Sequence, residues 1–575
     1  MRVGLGKILE ARWAPWSIVA LTLLVTLPSV QLGFYNDDHA LRAALQGSWP
    51  GGPPAWDLYR FASGDAAENR AAIAAGGLPW WTAPELKLHL VRPLASLLFV
   101  LDYRVFADAP LGYHLHSLAW YLVLTAAVGA LFRSLLPRAT ANLGLLVFAV
   151  SAAHFYPFAW ISCRHLLIAA VPSVLGLAAL VRGKAAGPWW CGLGLGLGLT
   201  ASEAALGVVG FVLAYAGLAK KPSVTARIYC ATPTLVIAFA YVIIYSLVGG
   251  GAAHSDGYLD PLHAPLRFAL RVVTVLPIML GNAVLGLPAE LATVGDPLPF
   301  ALFGLAAVAL ALWLGRRIAP SLSDEERSPL PWLLSGAVLA LLPTLGGFPG
   351  ARNLLLPNVG FAVALALLIR EGAKLGGWAR AAASLLLLVH LVLSPLGLIG
   401  NASYNAGIGR TTEAAAKSAE LGPHRPRAFV IGTSDPMITM YVAAVLAATT
   451  PQRLACWSVL SASKQSHRLA RTGPSELTLY PAEGPLLRGA FESLYRSRTD
   501  EFRVGDTVQQ CGASYRVNAL REGRPSEVRI TFDRALDDPS IRLLFWQNDR
   551  LRELAPPAPG SSVELPWSAG PLGIF

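Results

Sequence analysis

Apolar runs of roughly 20 residues, broken by short turns carrying Lys, Arg, Gly or Pro, fill the chain up to about residue 400. WSIVALTLLVTLPSVQLGF, YCATPTLVIAFAYVIIYSLVGG and ARAAASLLLLVHLVLSPLGLIG are the plainest examples. A helix of such length crosses the roughly 30 Å of hydrocarbon in a bilayer. The pattern predicts a polytopic α-helical membrane domain over residues 1–400 with about eleven spans. The first run lacks a small-x-small cleavage site and many others follow it, so it reads as a retained helix.

Four intervals depart from this pattern. Residues 34–91 are rich in Gly, Pro and Ala and read as a long first external loop, assigned to the membrane domain. The segment RPLASLLFVLDYRVF that follows is apolar but short, and Asp102 and Arg104 interrupt it, which predicts an interfacial or half-buried helix. Residues 266–287 are ambiguous between a crossing and a re-entrant helix. From 401 to 575 short strand-like runs appear, such as LACWSVL, EVRITF and IRLLFW, predicting a small C-terminal α/β domain. MITMYVAAVLAA is too short to cross a bilayer and reads as a buried helix of that domain.

Composition agrees with this reading. The chain is 54% hydrophobic and only 14% charged, with a mean hydropathy of +0.50, which excludes a single soluble domain. A net charge of +11 could suggest a nucleic-acid partner, but Lys and Arg collect in the cytoplasmic loops of membrane proteins, and that reading accounts for it. Arg2, Lys7 and Arg12 put the amino terminus inside, and further Lys/Arg clusters at Arg133, Arg182, Lys220, Lys221, Arg227 and Arg370 set the alternation. Arg316 and Arg317 stay inside only if residues 266–287 do not cross. The expected location is the plasma (inner) membrane, with the amino terminus cytoplasmic and the tail extracytoplasmic. The five cysteines form no C-x-x-C pair; Cys456 and Cys511 share the tail and can pair if it faces an oxidising space. In CGLGLGLGLTASE the glycines at i, i+4 suit close helix packing.

On this topology the two faces differ chemically. The inner face carries the Lys and Arg that orientation requires. The outer ends of the spans and the first loop carry Asp37, Asp38, His39, Arg92, His114, His116, His154, Arg164, His165, Glu203 and Arg352, which orientation does not explain. The acidic pair in FYNDDHALRAAL can cap an external helix, act as a general base, or hold a cation. Arg164 and Arg352 each open an apolar run; they either snorkel to headgroups or form an anion site, since guanidinium matches phosphate. Glu203 is expected to pair with an Arg or His across the bundle. His114 and His154 read singly as structural histidines, and the H-x-H spacing of His114 and His116 is weak for a metal because alternate helical positions diverge.

Several segments in order, FYNDDHALRAAL, VRPLASLLFVLDYRVFADAPLGYHLHSLAWYL, HFYPFAWISCRHLLIAAVPSVLGL, LTASEAALGVVGFVLAYA and ARNLLLPNVGF, resemble the GT-C superfamily of membrane glycosyltransferases, especially its O-mannosyltransferase-like branch. The resemblance covers most of the first 365 residues. It implies transfer of a sugar from a polyprenyl-phosphate carrier to an acceptor hydroxyl on a protein, glycan or lipid at the extracytoplasmic face, with inversion if displacement is direct. It implies Asp37 as general base and Asp38 as its helper or as ligand of a divalent cation. Arg164, Glu203 and Arg352 match polar positions of the family's core, the arginines as phosphate binders, and His114 and His154 match with less defined roles. No cofactor is otherwise implied, and the absence of Walker and Rossmann motifs agrees with a lipid-borne donor. The tail lacks the tetratricopeptide repeats of some relatives. A transporter or flippase of lipid-linked sugars is the alternative; it predicts inverted repeats and ionisable groups near the bilayer midplane.

Overall fold

The computed structural model describes residues 7–219, 223–293, 295–422, 426–432 and 434–570. Arg2, Lys220 and Lys221, used above to set orientation, lie outside the described residues. The chain forms two compact units. A helical unit comprises Met1–Gly33, Leu90–Gly250 and Ala264–Asn405; a second unit comprises Phe34–His89, Gly251–His263 and Ala406–Phe575. This division differs from the expected boundary at residue 400, because the first external loop belongs with the tail.

Among the described residues, eight helices are long and apolar enough to cross a membrane: Ala14–Gln31, Pro110–Arg133, Ile161–Val181, Val224–Leu247, Pro265–Leu285, Pro297–Ser321, Asp324–Gly346 and Gly377–Ser418. The pair Arg138–Ala149 and Ala152–Ala159, bent by 50°, makes a ninth if it is one span. The expectation of about eleven also counted apolar runs that fold as shorter helices. Gly187–Leu199 has 13 residues and Asn358–Gly372 has 15, and the Glu203–Leu218 helix starts afresh at a Ser202 cap.

The glycine run does what its spacing suggested. A Cβ at Gly194 would lie 2.3 Å from the Pro172 carbonyl oxygen and one at Gly198 2.8 Å from that of Ala169, so Gly187–Leu199 packs backbone to backbone on His165–Val181. The helix Pro93–Phe106 buries Ala95, Ser96, Phe99 and Asp102 and exposes Leu97, Leu101 and Val105, as expected of a half-buried segment. Pro265–Leu285 is long enough to span, and Arg271 near its start donates to the Gly347 carbonyl at 2.9 Å. Glu290, just past its end, accepts from the Ala351 amide at 2.7 Å.

The second unit is built on three sheets. Its strands are β1 (Arg60–Ser63), β2 (Lys87–His89), β3 (Gly251–Ala253), β4 (Arg427–Val430), β5 (Cys456–Val459), β6 (His467–Gly473), β7 (Glu476–Pro481), β8 (Thr507–Gln510), β9 (Ala513–Arg521), β10 (Arg524–Phe532), β11 (Ile541–Gln547), β12 (Arg550–Glu553) and β13 (Ser562–Leu565). An antiparallel sheet runs β13-β6-β7-β10-β9-β8; a mixed sheet runs β12-β11-β4-β5, with β4 parallel to both neighbours; β1-β2-β3 joins the two loops. The helix Pro436–Thr449, capped by Asp435, connects β4 to β5 and contributes Ile438, Val442, Val445 and Leu446 to the core. It is a buried helix of this unit, as its length required.

The physical reason the first loop belongs here is its tryptophans. Trp80 and Trp81 are fully buried in the core of the tail. Trp80 stacks on Tyr515 with ring centroids 5.3 Å apart and donates its indole N–H to the Leu460 carbonyl at 3.2 Å. A Gly/Pro-rich loop has too little apolar surface of its own to enclose two indoles. Gly76, at φ +82°, passes the Cys456–Cys511 disulfide so closely that a Cβ would meet Cys456 Sγ at 2.8 Å.

Candidate active site

The acidic pair opens the helix Asp37–Leu45 of the second unit. Asn36 occupies the cap position at φ +49° and makes no side-chain cap bond, and both carboxylates lie in the first turn. Asp38 is fully buried, and its Oδ2 accepts the Tyr35 amide at 3.0 Å, holding the turn that enters the helix. Asp37 is half-buried, and its Oδ1 accepts the Tyr441 hydroxyl of the helix Pro436–Thr449 at 2.7 Å. The two neighbours thus have different environments. Asp38 is spent on the backbone; Asp37 keeps a partly open carboxylate.

Aromatic groups surround Asp37. Burial, and then the negative charge of Asp37, push the Tyr441 and Tyr495 phenols above their ordinary range, so both stay protonated and Tyr441 is a donor. On the same helix Arg42 sits 3.9 Å from the Phe34 ring centroid. Burial and the Arg42 charge depress the His39 imidazole to about 4, so it is neutral near pH 7. Among the described residues no three His, Cys, Asp or Glu side chains come together as a metal site. With its carboxylate enclosed and bonded to an amide, Asp38 does not fit the role of cation ligand, and no step below is routed through a metal.

The other predicted residues belong to the helical unit. Glu203 has the partner its position demanded: Arg92 donates to its Oε1 at 2.5 Å and to its Oε2 at 3.0 Å, a bidentate pair. Arg92 also reaches His165 Nε2 at 3.0 Å. Arg352 is half-buried, lies 5.9 Å from the Trp160 ring centroid, and is within electrostatic reach of His165 and Tyr156. It borders a small cleft lined by Leu166, Ala169, Ala204, Ala340 and Leu356.

Arg164 has a different setting. It is fully buried and ion-paired with Asp102 Oδ2, while Asp102 Oδ1 accepts His116 Nδ1–H at 2.7 Å and Trp120 donates to His116 Nε2 at 3.0 Å. Both Asp102 oxygens are engaged, and the arginine's charge is neutralised inside the fold. His114 is fully buried with Nε2 on the Gly33 carbonyl at 2.9 Å. His154 joins Tyr121, at 3.0 Å from Nδ1, to Asn358, which donates to Nε2 at 2.9 Å. These two histidines tie segments of the helical unit together.

Sequence reasoning did not single out Tyr441, or the pairing of Asp102 with Arg164 and His116. Asp102, a carboxylate inside an apolar run, was the one available signal, and it marked a buried ion pair. Tyr441 sits in an apolar helix with nothing local to distinguish it.

No family model and no curated protein matches the chain. Solved structures similar to it include the oligosaccharyltransferase AglB of Archaeoglobus fulgidus in complex with an inhibitory peptide and a dolichol-phosphate. That match has 13% identity and a TM-score of 0.40, covering 76% of this chain and 64% of that one. The apo form of the Archaeoglobus enzyme is similar at 13% identity and a TM-score of 0.43, covering 79% and 65%. ArnT from Cupriavidus metallidurans bound to undecaprenyl phosphate is similar at 14% identity and a TM-score of 0.36, covering 78% of this chain and 90% of that one. The chain thus spans about two thirds of the archaeal enzyme's length.

Proposed function

We propose that the protein is an integral-membrane glycosyltransferase that moves a sugar from a polyprenyl-phosphate carrier to an acceptor hydroxyl on the extracytoplasmic face, with inversion. Asp37 is the general base. The observation that carries this reading is the asymmetry of the acidic pair: Asp38 is buried and accepts the Tyr35 amide, while Asp37 is half-buried and accepts the Tyr441 hydroxyl. A partly desolvated, oriented carboxylate can take the acceptor proton as the oxygen attacks the anomeric carbon.

Within the helical unit we assign Arg352 to the lipid phosphate, because it is half-buried at the border of the cleft lined by Leu166, Ala204 and Ala340. Charge developing on the departing phosphate is what a guanidinium stabilises. The Cys456–Cys511 disulfide supports an oxidising, extracytoplasmic setting for the tail. The acceptor is a protein, glycan or lipid hydroxyl.

Purified protein is to be assayed with a panel of undecaprenyl-phosphate hexose and pentose donors, scoring release of undecaprenyl phosphate. Asp37→Asn is expected to lower turnover by about 10²–10⁴-fold while the protein stays folded. Undiminished turnover removes Asp37 from the role. A flippase would move the same lipids across vesicles without releasing undecaprenyl phosphate.

A further inference from the structure

The tail has so far no part in the chemistry. Its helix Pro436–Thr449 packs on the helix Asp37–Leu45 within the second unit. The start of this tail helix is pinned by Asp435, whose carboxylate accepts the Met437 amide at 2.7 Å and lies 3.8 Å from Lys464 Nζ. Thr439 and Thr449 return their hydroxyls to carbonyls of their own helix, at Asp435 and Val445. Tyr441 instead sends its hydroxyl out of the helix, to Asp37 Oδ1, and its ring lies edge-on to Phe491 at 6.4 Å. A phenol held at both ring and hydroxyl restricts the carboxylate it touches.

We propose that Tyr441 is a positioning residue for Asp37, so that the C-terminal tail completes the catalytic base. The inference rests on the reading of Asp37 as that base. Donation from a phenol does two things. It selects one rotamer of Asp37, and it favours the ionised carboxylate over the acid. Tyr495, at the end of the Glu492–Tyr495 turn, is within electrostatic reach of Asp37, and Tyr258 of the 251–263 loop is within reach of Tyr495. Tyr35, Asp38, His39 and Arg42 come from the segment of Asp37 itself, with Asp38 turned to the Tyr35 amide and His39 neutral at pH 7. Lys464 is held by Asp435. Tyr441 donates its hydroxyl directly to Asp37 Oδ1, and that bond is what places it to set the ionisation of Asp37 from the tail.

The test uses full-length protein and two readouts. The first is a pH titration of the carboxylate infrared band that Asp37→Asn removes, which needs no substrate. The second is the pH profile of undecaprenyl phosphate release from the donor panel. Tyr441→Phe keeps the ring and deletes the hydroxyl; it is expected to raise the titration midpoint of Asp37 by about one pH unit. It is also expected to lower kcat about tenfold with KM little changed, moving the acid limb of the profile by the same amount. Thr449→Val, which deletes another hydroxyl from the same helix, is expected to leave the band where it was. An unmoved midpoint and profile in Tyr441→Phe, with Asp37→Asn inactive, overturns the proposal and leaves the base reading standing. An equal shift in Thr449→Val also overturns it, since the effect then belongs to the helix at large. Full activity in Asp37→Asn overturns both.

Discussion

Asp102 and Asp37 are both carboxylates half enclosed by apolar sequence, and they end in opposite conditions. In the helical unit Asp102 is saturated: Arg164 holds one oxygen, His116 holds the other, and Trp120 holds the histidine. In the second unit Asp37 is half-buried and accepts the Tyr441 hydroxyl. The difference teaches that an ionisable residue in an apolar chain marks a site only when its partners leave part of it accessible. Cost of burial selects the pair; on the proposed reading, exposure selects the base.

The sharpest way to break the comparison is to open the closed cluster. Arg164→Ala leaves Asp102 charged and buried, and is expected to cost about 3–5 kcal/mol, read as a large fall in the thermal unfolding midpoint or a loss of folded protein. If Arg164→Ala is stable and loses only donor binding, Arg164 belongs to the phosphate site after all. Next comes the scaffold that brings the first loop onto the tail. Replacing Cys456 and Cys511 by Ser opens a bridge across a separation of 55 residues and is expected to cost about 2–4 kcal/mol, visible as the same shift on reduction of the wild type.

A smaller effect is set by pH. The folded His39 titrates at about 4 against an ordinary value of 6.5, so the unfolded chain binds the proton first as pH falls. Stability is then complete above about pH 6.5 and declines as the pH drops from there toward 4. His39→Gln is expected to flatten that decline in unfolding midpoints measured across this range, and an unchanged slope contradicts the buried, neutral assignment.

Much of the helical unit was legible from periodicity, because a bilayer-spanning helix must satisfy its backbone within one contiguous run. The position of NDDH at the head of a helix and the pairing of Glu203 with an arginine were legible for the same reason: local pattern and the cost of a lone charge suffice. What escaped depends on contacts between residues far apart in sequence. Trp80 and Trp81 stand in a Gly/Pro-rich loop with no local sign of burial, and only the fold brings Tyr515 and Leu460 to Trp80. Tyr441 lies 404 residues from Asp37, and its helix carries no sign of an outside partner. Arg164 showed the reverse problem: its place at the head of an apolar run suits an anion site, and only the fold brings Asp102 to it.

The most direct test of the account is one protein variant with two readings. Asp37→Asn is predicted to unfold within about 1 °C of the wild type, since it removes a half-exposed charge. The same sample is predicted to release undecaprenyl phosphate from the donor panel about 10²–10⁴-fold more slowly. Wild-type turnover in the folded variant would contradict the central claim that Asp37 is the base.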